Sequence, residues 1–551
     1  MTISDTRFDR EFDYIVVGAG TAGCLIAARL SEDSSNRVCL IEAGGSERHP
    51  FVRIPAAVGA AIMSKRFGWG LTTVPQAALG GRRVPLPRGK IIGGSGSING
   101  MAYYRGPAAD FDDWAAMGNP GWSYADLLPY FLRSEHNPEY AHSPYHTTGG
   151  PMGVSFPTAR NPLCDAFNAS MADQGYEELD DFNVPEPNGY GYRQGTIWKG
   201  QRVSTASAYL RPALSRRNLE LISETRVRRI LFDGRVAQGV ETQAPAGIQN
   251  IRAHREVIVC GGAYHSPHIL LNSGVGDEAK LRSWGITPVH HLPPVGQNLR
   301  DHPAAPLALE MSNSTSYGLS WKAAPRNVLN VLQYLVTRTG PIASNLFETN
   351  AYIKSVPTVD RPDMQIVFQP ARRNTKPFPI PIGHGFAAMA VCLYPRSTGA
   401  VSLAGPDPLV EPLIDLALGS ADSDIRMILH GLRFARKVFA HDAFKPYGAH
   451  EVLPGPKVTD DEAMIDHIRN TLVTVHHPGS TCRMGPPGEN VVDHELRVHG
   501  LEKLRVADAA IYPRVVGANT NASIVAIAEK AADLILGRPA PEPMTPAQTV
   551  N

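Results

Sequence analysis

The sequence predicts an α/β protein built as two lobes, and three observations carry that expectation. At 551 residues the chain is too long for one compact hydrophobic core. Near its start, Phe12 to Glu42 reads as strand, glycine-rich turn, helix and second strand. Near its end, a short strand closing on Asp508 and a helix over Ser523–Leu536 are placed to rejoin that first sheet, which makes the first lobe discontinuous in sequence.

The opening unit can be justified part by part. Five apolar residues dominate Phe12–Val17, and the run breaks at Gly18-Ala-Gly-Thr-Ala-Gly23. A helical stretch, Cys24–Leu30, follows, then a strand over Arg37–Ile41 that ends on Glu42. Gly18 permits a tight turn, Gly20 lets the backbone approach a pyrophosphate, and Gly23 lets helix and strand pack closely. The helix N-terminus offers free N–H groups to phosphates. Glu42, about 20 residues on, is placed to accept ribose hydroxyls. The unit therefore predicts a bound dinucleotide, without separating FAD from NAD.

Pro87–Gly106 is the next punctuated region. It carries too many glycines for a stable helix or central strand. Ile91, Ile92, Ile98, Met101 and Ala102 are interleaved with them, which a solvated linker would not carry, so the segment suits a backbone laid against a planar ligand. A strand over Glu256–Val259 runs into Cys260-Gly-Gly-Ala-Tyr-His-Ser-Pro-His, read as a turn-to-helix entry with Ser266 as cap and Pro267 at the first helical position. His265 and His268 alone do not make a metal site, and no metal is expected. The last helix is apolar around most of its circumference and should be buried.

Composition is that of an ordinary globular protein, 43% hydrophobic and 19% charged. The balance of 53 basic against 52 acidic residues gives no global field toward nucleic acid or an anionic membrane. No run of roughly 18 uncharged apolar residues predicts a membrane span. The N-terminus does not read as a secretory signal. Six scattered cysteines, with no C-x-x-C pair, suit reduced, packed thiols in a cytoplasmic protein.

Four segments in order then resemble the glucose–methanol–choline (GMC) oxidoreductase family, in particular its choline dehydrogenase and alcohol dehydrogenase members: FDYIVVGAGTAGCLIAARL, RGKIIGGSGSINGMAYYRG, GAYHSPHILLNSGVG, and VHHPGSTCRMG followed by VADAAIYPRVVGANTNASIVAIAEKAADLI. The resemblance implies the GMC fold, a Rossmann-like FAD domain over 1–155, 200–310 and 490–540. A substrate-binding lobe built on a β-sheet would use 156–199 and 311–489, with a tail at 541–551. It implies FAD contacts at Gly18, Gly20, Thr21, Ala22, Gly23, Glu42, Gly94, Asn99, Gly100, Met101, Ala102, Val227, Asp508, Ala509 and Thr520. Some relatives tether the flavin through a histidine just before the asparagine of the second motif. Ile98 stands there in this chain, and an alkyl side chain cannot form that bond, so non-covalent FAD is expected.

The implied reaction is oxidation of a primary alcohol to the aldehyde, with His477 as general base and Asn519 orienting the substrate oxygen. Histidine suits proton abstraction because its pKa lies near working pH, and a neutral amide can donate to an alkoxide. Oxygen, a quinone or another carrier would reoxidise the flavin. The rival readings are a lyase or decarboxylase on the same fold and a non-catalytic flavin-binding protein. Glu348 is a candidate substrate contact. Residues 370–386, proline-rich with Arg372, Arg373 and Lys376, read as a surface loop or a lid.

Overall fold

The computed structural model describes residues 7–373 and 380–545. Two seven-stranded sheets organise them. The first grows outward from Arg10–Val17, which is buried on both faces from Tyr14 to Val17, as a central parallel strand requires. Val38–Ile41 and Gly247–Val259 flank it in parallel, and Leu219–Ile222 extends the sheet beyond Val38–Ile41. An antiparallel meander of Arg226–Asp233 and Val236–Ala244 pairs with the first part of Gly247–Val259. The last three residues of that long strand, Val257–Val259, are taken instead by Leu504–Val506 in parallel. The far end of the chain thus returns to the first sheet as expected.

The helix after Gly18 spans Thr21–Leu30, beginning three residues before the expected Cys24. The residues read as turn, Thr21-Ala-Gly, are small enough to form its first helical turn. This turn is tight: a Cβ added at Gly23 would lie 1.9 Å from the Gly18 carbonyl oxygen, and one at Gly18 would lie 2.6 Å from that of Cys260. No side chain fits at either position, which is the close helix–strand approach expected of Gly23. The final helix, Asn521–Leu536, is buried through most of its length and packs on Thr21–Leu30. Buried Glu529 joins the two, accepting from Arg29 Nε and Nη2 at 2.9 and 2.8 Å and from the Tyr209 hydroxyl at 2.7 Å.

One expected cap is corrected. The helix after Cys260 runs Gly262–Asn272, with Ser266 and Pro267 inside it. Proline removes the N–H that would bond the carbonyl four residues back. That carbonyl, on Ala263, instead accepts the Thr481 hydroxyl at 2.7 Å. Ser266 donates to Asp508 at 2.5 Å rather than capping its own helix.

The second sheet is antiparallel and runs His450–Leu453, Pro303–Glu310, Gly385–Cys392, Met364–Gln369, Thr349–Ile353 and Gly189–Tyr192 in space. Val473–Thr474 adds to the start of Pro303–Glu310. The expected first-lobe segment 200–310 therefore overruns: its last residues, 303–310, form an interior strand of the second sheet, because Pro303–Leu309 is a continuous apolar run buried on both faces. The helix Asp422–Phe439 covers this sheet with Ile425, Ile428, Leu432 and Ala435. All six cysteines are buried and unpaired.

Candidate active site

The C-terminal ends of the parallel strands open into a cleft of about 1130 Å³, open solvent included. This is the crevice where open α/β sheets bind ligands. Of the predicted cofactor contacts, Gly18, Gly20, Thr21, Ala22, Glu42, Gly94, Val227, Asp508, Ala509 and Thr520 line it. Gly23 lies below it, against Gly18. The first N–H groups of a helix have no partner within it, and here those of Thr21 and Ala22 lie at the cleft wall. The second glycine segment lies directly on this turn: a Cβ on Gly94 would come within 2.8 Å of the Gly20 Cα.

Two carboxylates meet this cleft in different ways. Glu42 accepts from the Ala19 and Gly44 N–H groups at 2.9 and 2.7 Å, and burial pushes its pKa up to about 7. Asp508 caps the following turn through Ala510 N–H at 2.7 Å and accepts from Gly262 N–H at 2.8 Å as well as from Ser266. Its side chain therefore ties the returning strand to the Gly262–Asn272 helix. Also in the cleft wall, the Trp69 ring meets His265 in a tilted contact at 4.2 Å, with Arg226 over Trp69. His265 pairs with Glu411 at 3.0 Å, a carboxylate remote in sequence. Among the described residues no group of three His, Cys, Asp or Glu side chains could hold a metal.

Asn99, Gly100, Met101 and Ala102 lie outside the lining of that cleft and form a strip fixed from both lobes. Asn99 Oδ1 accepts from Arg202 at 2.7 Å, and the Gly100 carbonyl accepts from Asn345 at 2.6 Å. Met101 is fully buried in a left-handed conformation with φ 58°, and Ala102 bridges Gly195. Ile98 is buried with Val52, Ala61, Phe67 and Ile91, so its alkyl chain completes a small apolar cluster.

Pro478 and Thr520 form part of the cleft wall, and the residue before each is a predicted catalytic one. His477 and Asn519 come together, with His477 Nε2 and Asn519 Nδ2 3.1 Å apart. Each is delivered by a separate device. Val473–Thr474 pairs antiparallel with Pro303–Ala304, and Arg300 bridges Gly479, so residues 299–304 clasp 473–479. Within this clasp the His477 N–H donates to Asp301 at 2.7 Å, and His477 Nδ1 meets His302 Nδ1 at 3.0 Å. The turn leading to Asn519 is held at Gly517 by buried Asp110, which accepts from Gly517 N–H at 2.6 Å and from the Tyr394 hydroxyl at 2.9 Å. The Tyr352 hydroxyl approaches Asn519 Oδ1 at 3.5 Å.

Burial sets the charges here. It holds His477 well below the usual imidazole range, with His302, His476 and Arg88 adding repulsion. His302, fully buried, is lowered to about 4, and Asp301 is pushed up to about 6. Sequence reading missed Asp301, His302, Asp110 and Tyr352. Only the pairing of distant segments brings them to the site, and no local spacing signals it.

Two other candidates are placed elsewhere. Both oxygens of Glu348 are engaged, by Tyr317 and Ser344 hydroxyls at 2.6 and 2.9 Å and by Asn161 N–H at 2.7 Å. In 370–386, Arg372 pairs with Glu310 and donates to the Ile382 carbonyl at 2.8 Å. Arg373 Nη1 lies 3.2 Å from Met389 Sδ. The segment ends by entering the strand Gly385–Cys392. Lys376 lies outside the described residues.

Comparison with known proteins agrees with this architecture. The GMC oxidoreductase family models match residues 12–304 and 395–528. The chain is 39% identical over 536 residues to an oxygen-dependent choline dehydrogenase of Sinorhizobium fredii, covering 96% of each. It is 37% identical over 527 residues to an alcohol dehydrogenase [acceptor] of Pseudomonas putida, covering 95% of this chain and 96% of that one. A formate oxidase variant of Aspergillus oryzae RIB40, studied for FAD modification, superposes with a TM-score of 0.88 at 26% identity, over 97% of this chain and 99% of that one. With its two sheets, its glycine-lined cleft and these matches along most of its length, the chain belongs to the GMC oxidoreductase family.

Proposed function

We propose that this protein oxidises a primary alcohol to the aldehyde, with FAD held non-covalently in the cleft and His477 and Asn519 acting on the substrate oxygen. The observation that carries the reading is the 3.1 Å pairing of His477 Nε2 with Asn519 Nδ2 beside the cleft wall formed by Pro478 and Thr520. FAD, when bound, supplies the hydride acceptor. The residues around the cleft fit such a group: glycines that leave no room for a Cβ, a helix N-terminus for the pyrophosphate, and Glu42 beside it for a ribose.

The hydrogen bonds support Nε2 as the acting nitrogen of His477. Asn519 Oδ1 faces the Tyr352 hydroxyl, so Nδ2, a donor only, faces His477 Nε2. Nε2 is then an acceptor, and its proton must sit on Nδ1. From there it donates to His302 Nδ1, which leaves the His302 proton on Nε2. The chain is neutral throughout and presents one lone pair, at His477 Nε2. A substrate hydroxyl entering between the two side chains would donate to that lone pair and accept from Asn519. Proton removal makes the alkoxide that expels a hydride from the adjoining carbon. His302 acts as a positioning residue through His477.

Glu348 does not present a free carboxylate to a cation, because both its oxygens are engaged. This favours a neutral alcohol over a quaternary ammonium alcohol. The relatives named choline dehydrogenase and alcohol dehydrogenase [acceptor] are similarly close to this chain, so the choice rests on Glu348.

Replacing His477 by alanine should leave the flavin absorbance intact and slow anaerobic flavin reduction by about 10²–10⁴; reduction at a near-normal rate would refute the base. Because burial depresses the His477 pKa, falling pH protonates it only well below the ordinary imidazole value of about 6.5. The rate of flavin reduction should therefore stay level as pH falls through 6.5, and an acid limb at or above that value would contradict the neutral chain. Acid precipitation should release the yellow colour into the supernatant, since Ile98 has no atom to bond the flavin; colour retained in the pellet would show a covalent link elsewhere.

A further inference from the structure

The helix Ala324–Thr337 is amphipathic in the reverse of the usual sense. A surface helix normally turns its apolar stripe inward. Here Val328, Leu329, Val331, Leu332, Leu335 and Val336 all face out, with Leu329 65% and Val336 83% exposed. At 100° per residue these six cover about 160° of the circumference. The opposite face carries the attachments to the body. Arg326 and Asn327 donate to the Ser316 and Gly318 carbonyls at 3.1 and 3.0 Å, and buried Tyr334 donates to that of Gly200 at 3.0 Å. Trp321, just before the helix, is 95% exposed.

Charge narrows what covers this face. From residue 311 to 347 the sequence contains no aspartate or glutamate, while Lys322, Arg326 and Arg338 are exposed at the two ends of the helix. A symmetric contact with a second copy would set each helix against its twin and bring two cationic segments together, without an acid of their own to pair. A bilayer with anionic headgroups offers both requirements at once, apolar depth for the leucines and valines and negative charge for the basic rim. An aromatic side chain at the edge of such a helix belongs at the headgroup level. No helix among the described residues is long and apolar enough to cross a membrane. We propose that Ala324–Thr337, with Trp321, docks the protein on an anionic lipid surface, lying in the interface.

Flotation of the full flavin-loaded chain with phosphatidylcholine vesicles, with and without phosphatidylglycerol, tests this. The chain should float with the mixed vesicles, less with phosphatidylcholine alone, and less again as salt screens the rim. Leu329→Glu/Leu332→Glu, on an exposed face, should lower the floated fraction about tenfold or more, with the flavin spectrum and thermal midpoint unchanged. Trp321→Ala should weaken binding more mildly. Wild-type chain that stays at the bottom with both vesicle types would overturn the proposal. So would a lipid-free dimer, seen by sedimentation velocity, that Leu329→Glu/Leu332→Glu converts to monomer while vesicles capture neither form, because the face would then be covered by a second copy.

Discussion

Residues 299–304 and 473–479, far apart in the chain, lie antiparallel, and the candidate site depends on that clasp. Arg300 opposite Gly479 and Pro303 opposite Thr474 set its register. With it fixed, Asp301 and His302 fall on either side of His477, one on its main-chain N–H and one on its ring. A slip of one residue would send each side chain to the other face and separate the rings. The strand Pro303–Glu310 anchors the clasp in the interior of the second sheet, so the geometry of the histidines is inherited from a fully buried framework.

That framework also decides their charge state. Moving an imidazolium out of water without a compensating anion is costly, and the group nearest in kind to such an anion, Asp301, is itself pushed toward its neutral form by burial. In the proposed reaction the imidazolium formed at His477 would be balanced by the adjacent alkoxide rather than by a resident carboxylate. In the proposed tautomer the proton sits on Nδ1 of His477, with Asn519 and His302 occupying the two ring positions.

The nucleotide lobe was legible because its chemistry is local. Gly18, Gly20, Gly23 and Glu42 sit within one strand–helix–strand unit, and each position has a backbone reason visible in the spacing. The return of Leu504–Val506 to the sheet was expected from the pattern of the last segments and the pairing of His477 with Asn519 from resemblance, and the structure brings both about. His302 was not legible, since nothing in the run before Pro303 distinguishes it until Val473–Thr474 pairs beside it. Ser266 was misread for a similar reason: it looks like a cap, but its hydroxyl is drawn to Asp508 from the far end of the chain. The helix Ala324–Thr337 shows a third limit. Its pattern of apolar and polar positions is that of any amphipathic helix, and only the side taken by Tyr334 and Asn327 reveals that the stripe faces out.

In the proposed reaction a carbinol hydrogen of an alcohol leaves this site as hydride for a flavin. The most direct test is to mix the flavin-loaded protein anaerobically with a panel of primary alcohols and follow the flavin absorbance. Each substrate found is then compared with its analogue deuterated at the carbinol carbon. Bleaching by at least one neutral primary alcohol is expected, slowed several-fold by deuterium. A flavin that no alcohol bleaches, in protein whose FAD is bound and reducible by dithionite, would contradict that reaction.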